Sequence, residues 1–226
     1  MVEYFMKCIY CQHTKLYELK SGQMKCAKCK KKFSEKKIKT DLKIMEYFCE
    51  NFTVNEASKK LFINYITLKK RYEFFRQLIA NYLEKAYQNK QIIEYDEYIY
   101  LEKSKKKVKE NIFDAQNFLT LAYDDKVYNL LMPNLNKYKN QFLDNNIEEV
   151  YFKEFSKFMM RNKISKTKKR ENRITQFWLF FEESILKYKG VGSENFFYYL
   201  KEIEFKFNYS KEMQKEILAE LYQNSL

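Results

Sequence analysis

Four of the five cysteines form two Cys-x2-Cys pairs, and this spacing constrains the N-terminal fold more than any other feature. Cys8 pairs with Cys11 and Cys26 with Cys29, with fourteen residues between the pairs. Each pair presents two thiolates to one tetrahedral ion, and a hairpin in the spacer can bring the pairs together. Zinc fits four sulfur ligands best, iron would also fit, and two disulfides are the alternative. We predict a structural zinc ribbon over residues 1–39.

Positive charge is concentrated in the first third of the chain. The formal net charge is +13, and residues 1–85 hold 19 Lys and Arg against 9 Asp and Glu, a surplus of 19 − 9 = +10. Such a field attracts polyanions, nucleic acid first and anionic membrane second. The sequence has no apolar run of membrane-spanning length and no signal-peptide pattern at its start. We expect a cytoplasmic protein with no membrane partner.

Residues 40–88 show the pattern of three helices. Apolar spacing predicts a helix over Asp41 to Glu50, and Thr53 with Glu56 forms a capping box for a second helix over Val54 to Leu61. Asn64 can cap a third helix. The third helix is predicted to bury Ile66, Leu68, Tyr72 and Phe75.

The third helix is basic, and with the two short helices before it this pattern indicates a helix-turn-helix. The side chains predicted to enter the major groove of double-stranded DNA are Tyr65, Thr67, Lys69, Lys70 and Arg71. The alternative is a plain three-helix bundle with solvated lysines. The neighbouring lysine-rich cysteine module favours DNA binding.

The remainder, residues 89–226, mixes strand and helix patterns. Ile92 to Leu101 predicts a strand that carries Asp96, a carboxylate that must be solvated, paired or bound to a metal. Phe118 to Tyr123 and Lys126 to Met132 predict a hairpin. Amphipathic helices are expected from Ile174, from Ser193 and over Lys211 to Tyr222, so the fold class is α/β (α+β).

Three motifs, in this order after the cysteine module and the helix-turn-helix pattern, resemble one protein family. They are Tyr95-Asp96-Glu97 on the predicted strand, Asn172-Arg173-Ile174-Thr175-Gln176-Phe177-Trp178, and Tyr199-Leu200-Lys201-Glu202-Ile203-Glu204-Phe205-Lys206-Phe207-Asn208. This arrangement is similar to the small bacterial insertion-sequence transposases with a ribonuclease-H-like catalytic domain. The resemblance covers almost the whole chain, and its last motif is the most specific.

The resemblance implies a truncated ribonuclease-H-like domain in which Asp96 and Asn172 bind catalytic Mg²⁺ or Mn²⁺. The second acid of the family has no clean counterpart. If Glu149-Val150-Tyr151-Phe152 is the strand before it, Lys153 stands at its position and Glu154 is the nearest acid, whereas a shifted alignment offers Asp144. The implied chemistry is two-metal phosphoryl transfer on DNA by a homodimer or higher oligomer.

Two functions follow from this reading. The first is a transposase that binds the terminal repeats of its element through residues 1–85 and cuts and joins DNA. The second is a decayed or domesticated transposase that binds DNA without breaking it. The family fold favours the first, whereas the missing second acid and a shortened segment after Pro133 favour the second.

Overall fold

A computed structural model describes residues 7–88, 90–102, 104–105, 109–133, 172–188 and 191–225. In these residues the fold is mixed α/β, as predicted, with two three-stranded antiparallel sheets and six α-helices. The chain forms two compact units. The first runs to Tyr82 and also includes Tyr209 onward, and the second is Leu83–Asn208.

The first unit begins with a small sheet of β1 (Leu16–Glu18), β2 (Met24–Cys26) and β3 (Lys32–Phe33). Neighbouring strands are antiparallel, in the order β1-β2-β3. Gly22 turns the chain between β1 and β2 with a φ of 72°, a left-handed conformation that glycine adopts without steric cost. The sheet therefore contains the hairpin that the cysteine spacing requires.

Three capped helices follow the small sheet. Ser34 caps α1 (Glu35–Cys49), and Thr53 and Glu56 form the predicted capping box of α2 (Val54–Leu61). α3 (Tyr65–Tyr87) begins after Asn64, whose Oδ1 accepts a hydrogen bond of 2.9 Å from the backbone N–H of Ile66. The predicted caps of α2 and α3 are confirmed.

The core of the first unit forms on one face of α3. Leu68, Tyr72 and Phe75 are buried, and the ring of Phe48 on α1 lies 5.0 Å from that of Tyr72 and 5.7 Å from that of Phe75. The prediction that Ile66 is buried was wrong, because its side chain is 62% exposed. Two residues correspond to about 200° around a helix, so Ile66 faces away from Leu68.

The last helix, α6 (Lys211–Asn224), belongs to this first unit, although the sequence grouped it with residues 89–226. Tyr222 donates a hydrogen bond of 2.7 Å to Asp41 on α1. Lys211 and Lys215 both bind the carboxylate of Glu50, at 2.9 and 2.7 Å. These contacts attach the C-terminal helix to α1.

The second unit is built on an antiparallel sheet of β4 (Glu94–Tyr100), β5 (Gln116–Tyr123) and β6 (Lys126–Leu131). β5 is central, and Asp124-Asp125 form the predicted turn between β5 and β6. A 3-10 helix over Lys109–Asp114 precedes β5. Residues 147–152, whose sequence shows a weaker strand pattern, lie outside the described residues.

Two further helices, α4 (Arg173–Ile185) and α5 (Ser193–Asn208), pack on this sheet. Tyr98, Phe118 and Phe181 pack together, and the Tyr98 ring lies 5.0 Å from that of Trp178. Trp178 also donates a hydrogen bond of 3.0 Å to the Thr120 hydroxyl in the central strand. Within the described part of the chain, no helix is both long and apolar enough to cross a membrane.

Candidate functional site

The two cysteine pairs have the same backbone hydrogen bonds. In each, the first cysteine donates from its N–H to the carbonyl five residues on, at 2.7 Å for Cys8 and 3.1 Å for Cys26. Its own carbonyl accepts from the residue four positions on, Gln12 or Lys30, and both of these have a positive φ. The sequence thus folds each Cys-x2-Cys into the same tight turn, which directs two sulfurs to one side.

The four cysteine sulfurs meet at one point. Sγ of Cys8 lies 3.6 Å from Sγ of Cys29, and Sγ of Cys11 lies 3.5 Å from Sγ of Cys26. All four Sγ atoms lie within 4.8 Å of one another, and the cysteines are free thiols. A tetrahedral Zn–S bond of about 2.3 Å implies sulfurs about 3.8 Å apart. The cluster can therefore hold a metal such as zinc, as the spacing predicted.

The two buried sulfurs of this cluster differ in pKa. Burial opposes ionisation of Cys26, but hydrogen bonds from the N–H groups of Cys29 and Lys28 and from the thiols of Cys11 and Cys8 together outweigh it and lower the Cys26 pKa to about 6. Burial raises the pKa of Cys8 to about 11. Because four thiolates leave no open position, a metal here would be structural rather than catalytic.

The five residues predicted to contact DNA differ in their surroundings. Tyr65, Thr67, Lys69 and Lys70 are exposed. Arg71 is half-buried, and its Nε lies 2.9 Å from Asp41, a carboxylate that is nearly fully buried. Arg71 thus neutralises a buried charge within the first unit, and the exposed cations of α3 suited to phosphate contact are Lys69 and Lys70.

Asn172 lies beside the strand that carries Asp96. Its Nδ2 donates a hydrogen bond of 2.6 Å to Glu94, which is two residues before Asp96 on the same face of β4. Its Oδ1 accepts from the N–H of Thr175 at 2.8 Å and caps α4. This hydrogen bond joins the start of α4 to β4, the strand that carries Asp96.

Glu94 is a site residue that the sequence argument did not single out. Strand alternation alone would have placed its carboxylate beside that of Asp96. Asp96 Oδ1 itself accepts a hydrogen bond of 2.9 Å from the backbone N–H of Glu97. These carboxylates and the Asn172 amide are hard oxygen donors of the kind that Mg²⁺ prefers.

The described residues contain no carboxylate cluster that is placed to bind a metal. Among them, the cysteine cluster is the only group of three or more Cys, His, Asp or Glu side chains placed to bind one metal. Asp144, Glu154 and Lys153 lie outside the described residues. In the described residues, Glu94 and Asp96 therefore do not belong to a group that is placed to bind a metal.

The motif over Tyr199 to Asn208 forms buried hydrogen bonds with strand β6 of the sheet. The buried carboxylate of Glu204 accepts hydrogen bonds from the N–H and Nδ2 of Asn129, at 2.9 and 3.0 Å, and from Lys201 at 3.2 Å. The Asn208 amide pairs with both the N–H and the carbonyl of Val127, at 2.9 and 2.7 Å. One face of α5 thereby satisfies buried polar groups of β6.

Compared with models of known protein families, with curated proteins and with solved structures, the chain matches none of them. What the protein does must therefore be inferred from its own residues. The cysteine cluster, the exposed basic start of α3, and the Glu94, Asp96 and Asn172 group are the features that bear on it.

Proposed function

We propose that the chain is an insertion-sequence transposase that binds double-stranded DNA through its first unit and cleaves and joins strands at Asp96 and Asn172. The second acid of this site would be Asp144 or Glu154. The observation that carries the proposal is the hydrogen bond from Asn172 to Glu94, because it joins the start of α4 to the strand face that bears Asp96. In this proposal the cysteine cluster with β1 to β3 forms a zinc ribbon, and α1 to α3 form a helix-turn-helix.

Charge and exposure support the DNA-binding part. Residues 1–85 carry a surplus of 19 − 9 = +10 positive charges. The first turn of α3 has no acidic residue, so the positive end of the helix dipole is not offset there. Exposed Lys69 and Lys70 follow within two turns. A helix start with adjacent cations suits contact with DNA phosphates.

The cleavage part rests on the chemistry of oxygen ligands. A bound Mg²⁺ or Mn²⁺ would activate a water or the 3′-hydroxyl of a DNA strand and would stabilise the leaving oxygen. This chain would contribute the Asp96 and Glu94 carboxylates as ligands, while the capping bond from Thr175 fixes the orientation of the Asn172 amide. A positive Lys153 close to such a site would oppose metal binding by repulsion.

A second function, DNA binding without cleavage, is favoured by the hydrogen bonds of Asn172. Its amide oxygen accepts from Thr175 and its amide nitrogen donates to Glu94, so both ends of the side chain already have partners. These two hydrogen bonds would suit Asn172 equally in an inactive protein, where it is only a helix cap, and in a catalytic site. The exposed basic start of α3 is common to both functions.

The deciding experiment incubates the purified, zinc-loaded chain with supercoiled DNA that contains the sequences flanking its gene, with Mg²⁺ or Mn²⁺ added. We expect nicks or joined products that disappear in Asp96→Ala and persist in Glu97→Ala. Glu97 is a matched control because it is the next residue on the opposite face of the strand. DNA retained without any nick would eliminate the transposase in favour of the binding protein, and no DNA retained would eliminate both.

A further inference from the structure

Phe62, at the turn between α2 and α3, has an unusual combination of exposure and backbone conformation. Its side chain is 96% exposed, and its φ of 54° is in the left-handed region. Glycine is the usual residue after a helix in this conformation, because any Cβ is strained there. Phe62 therefore adds backbone strain and exposes a ring to water, and neither effect stabilises the folded chain.

Phe62 is one of three exposed apolar side chains close together in sequence. Tyr65 and Ile66, in the first turn of α3, are 49% and 62% exposed. We call Phe62, Tyr65 and Ile66 the turn patch. Burial is the ordinary fate of such side chains, and Leu68, in the next turn of the same helix, is fully buried. The turn patch is thus an apolar surface at the N-terminal end of α3.

Exposed cations occur on both sides of the turn patch in the sequence. Lys59 and Lys60 end α2, and Lys69 and Lys70 follow the patch on α3. Two acids lie nearby in the sequence: Glu56, which accepts hydrogen bonds from Thr53, and Glu73, which lies 3.8 Å from Lys69. The four lysines outnumber these two acids, so the net charge around the turn patch is positive. A partner complementary to the turn patch and its flanking lysines would present an apolar group between negative charges. Duplex DNA has this pattern where thymine methyl groups lie in the major groove between phosphate strands.

We propose that Phe62 and Ile66 read thymine methyl groups in the major groove and thereby supply sequence preference, while the flanking lysines contact phosphates. This inference rests on the proposed DNA binding and adds the bases that are read. It explains why a residue other than glycine occupies the strained position. It assigns specificity to the turn as well as to the exposed face of α3.

The test begins with the full-length, zinc-loaded chain and a pool of random-sequence duplexes, from which the best-bound sequence is selected. Affinity is then measured for that duplex and for copies in which uracil replaces thymine, one position at a time. Uracil lacks only the methyl group. Burial of one methyl group predicts about a fourfold loss of affinity at each position that is read.

Phe62→Gly is the informative variant, because it removes the ring and also relieves the left-handed strain. We expect its melting temperature to equal or exceed that of the wild type, while its affinity for the selected duplex falls at least fourfold. The uracil substitution that weakens the wild type should have no effect on Phe62→Gly. Ile66→Ala should lose sensitivity at a neighbouring position. Met213→Ala, which truncates a half-exposed apolar side chain on α6, is the matched control.

Equal affinity of Phe62→Gly and wild type, or equal sensitivity of both to uracil, would overturn the proposal while leaving DNA binding intact. A change of oligomeric state in Phe62→Gly, seen by sedimentation with no change in affinity, would overturn it in favour of a contact between two copies. A wild-type chain that selects and binds no duplex would overturn both this inference and the proposed function.

Discussion

The helices α3 and α5 are both rich in charged residues and use them in opposite ways. Near the start of α3, Lys69 and Lys70 are exposed, whereas Leu68 and Tyr72 beside them are buried. On α5, Lys201 and Glu204 are completely buried, and Lys201 lies 3.5 Å from the centre of the Tyr128 ring. The same residue type is thus a surface cation in one unit and a core side chain in the other.

This difference separates residues suited to binding from residues that hold the fold. An exposed lysine contributes little to stability and is available to a phosphate. A buried lysine requires a partner, and here Glu204 and the Tyr128 ring supply one. A variant in α5 should therefore change stability, and a variant near the start of α3 should change DNA affinity. Metal removal and point substitutions in each unit can test this separation.

Metal removal should have the largest effect, and only in the first unit. In small structural zinc sites the free energy of metal binding, about 10–16 kcal/mol, also drives folding. A strong chelator should therefore unfold the cysteine module that precedes α1. Cobalt bound to the four thiolates would give a visible absorption band that disappears with the metal. The fluorescence of Trp178, the only tryptophan and a core residue of the second unit, should not change.

Cys49→Ser is the control for this measurement, because Cys49 is a buried cysteine outside the cluster. It should keep the cobalt band that Cys26→Ser loses. A chelated chain with unchanged circular dichroism and DNA affinity would show that the cysteines need no metal.

Lys201→Met should be the next largest change. Burial above all raises the pKa of Glu204, and the charge of Lys201 opposes that rise. Removal of Lys201 leaves a buried carboxylate without its cation, which costs about 3–5 kcal/mol of unfolding free energy. Because the pKa of Glu204 is raised in the folded state, the destabilisation caused by Lys201→Met is largest at high pH, where Glu204 is ionised. It becomes smaller as the pH falls and Glu204 is protonated. Urea unfolding followed at Trp178 measures both effects.

Adding Glu204→Gln to Lys201→Met provides the matched test of this explanation. Glutamine keeps an acceptor for Asn129 but carries no charge, so the double variant should recover much of the stability and most of the pH dependence should vanish. If the single variant is as stable as the wild type, the buried pair is not a determinant of the fold.

Glu50→Gln should cost under about 1 kcal/mol, because this ion pair is partly solvated. Hydrogen bonds from Lys215 and then Lys211 lower the pKa of Glu50 from 4.5 to about 2. Because folding lowers the pKa of Glu50, its ionised carboxylate stabilises the fold at pH values above 4.5, its ordinary pKa. This contribution is lost as the pH falls toward 2. Paired thermal melts of wild type and variant should differ near neutral pH and converge in acid. A difference that persists in acid would point to weaker packing of α6 instead.

Lys69→Ala with Lys70→Ala should have the smallest effect on stability and a clear effect on DNA binding. Each phosphate that the protein no longer neutralises reduces the slope of log affinity against log salt by about 0.9. The melting temperature should stay within error, since both side chains are exposed. Lys85→Ala, at an exposed position in the last turn of the same helix, should leave the slope unchanged. A slope that does not fall in the double variant would remove this surface from the DNA interface.

Local signals in the sequence predicted the local structure well. The Cys-x2-Cys spacing predicted a cluster of four sulfurs, Thr53 with Glu56 predicted the capping box of α2, and Asp124-Asp125 predicted a hairpin turn. Each of these depends on residues within a few positions of one another. Sequence spacing therefore contains most of the information that determines them.

Contacts between distant residues were the part that local signals missed. The sequence predicts that Arg71 is a surface cation. The ion pair between Arg71 and Asp41 on α1, seen only in the structure, shows that Arg71 neutralises a buried charge. The motif on α5 was recognised as a pattern, but the pairing of Asn208 with Val127 was not predicted. The hydrogen bond between Asn172 and Glu94 joins residues 78 positions apart, and the sequence did not predict it.

The sequence by itself determined the cysteine cluster, the helix caps, the strand that carries Asp96 and the surplus of positive charge near the N-terminus. The tertiary structure decided which lysines are buried, that α6 joins the first unit, and that Phe62 and Ile66 stay exposed. The physical reason is that a helix cap, a turn or a Cys-x2-Cys turn depends only on residues a few positions apart in the sequence. Burial of a charge or a ring depends on side chains that meet only after distant segments have packed.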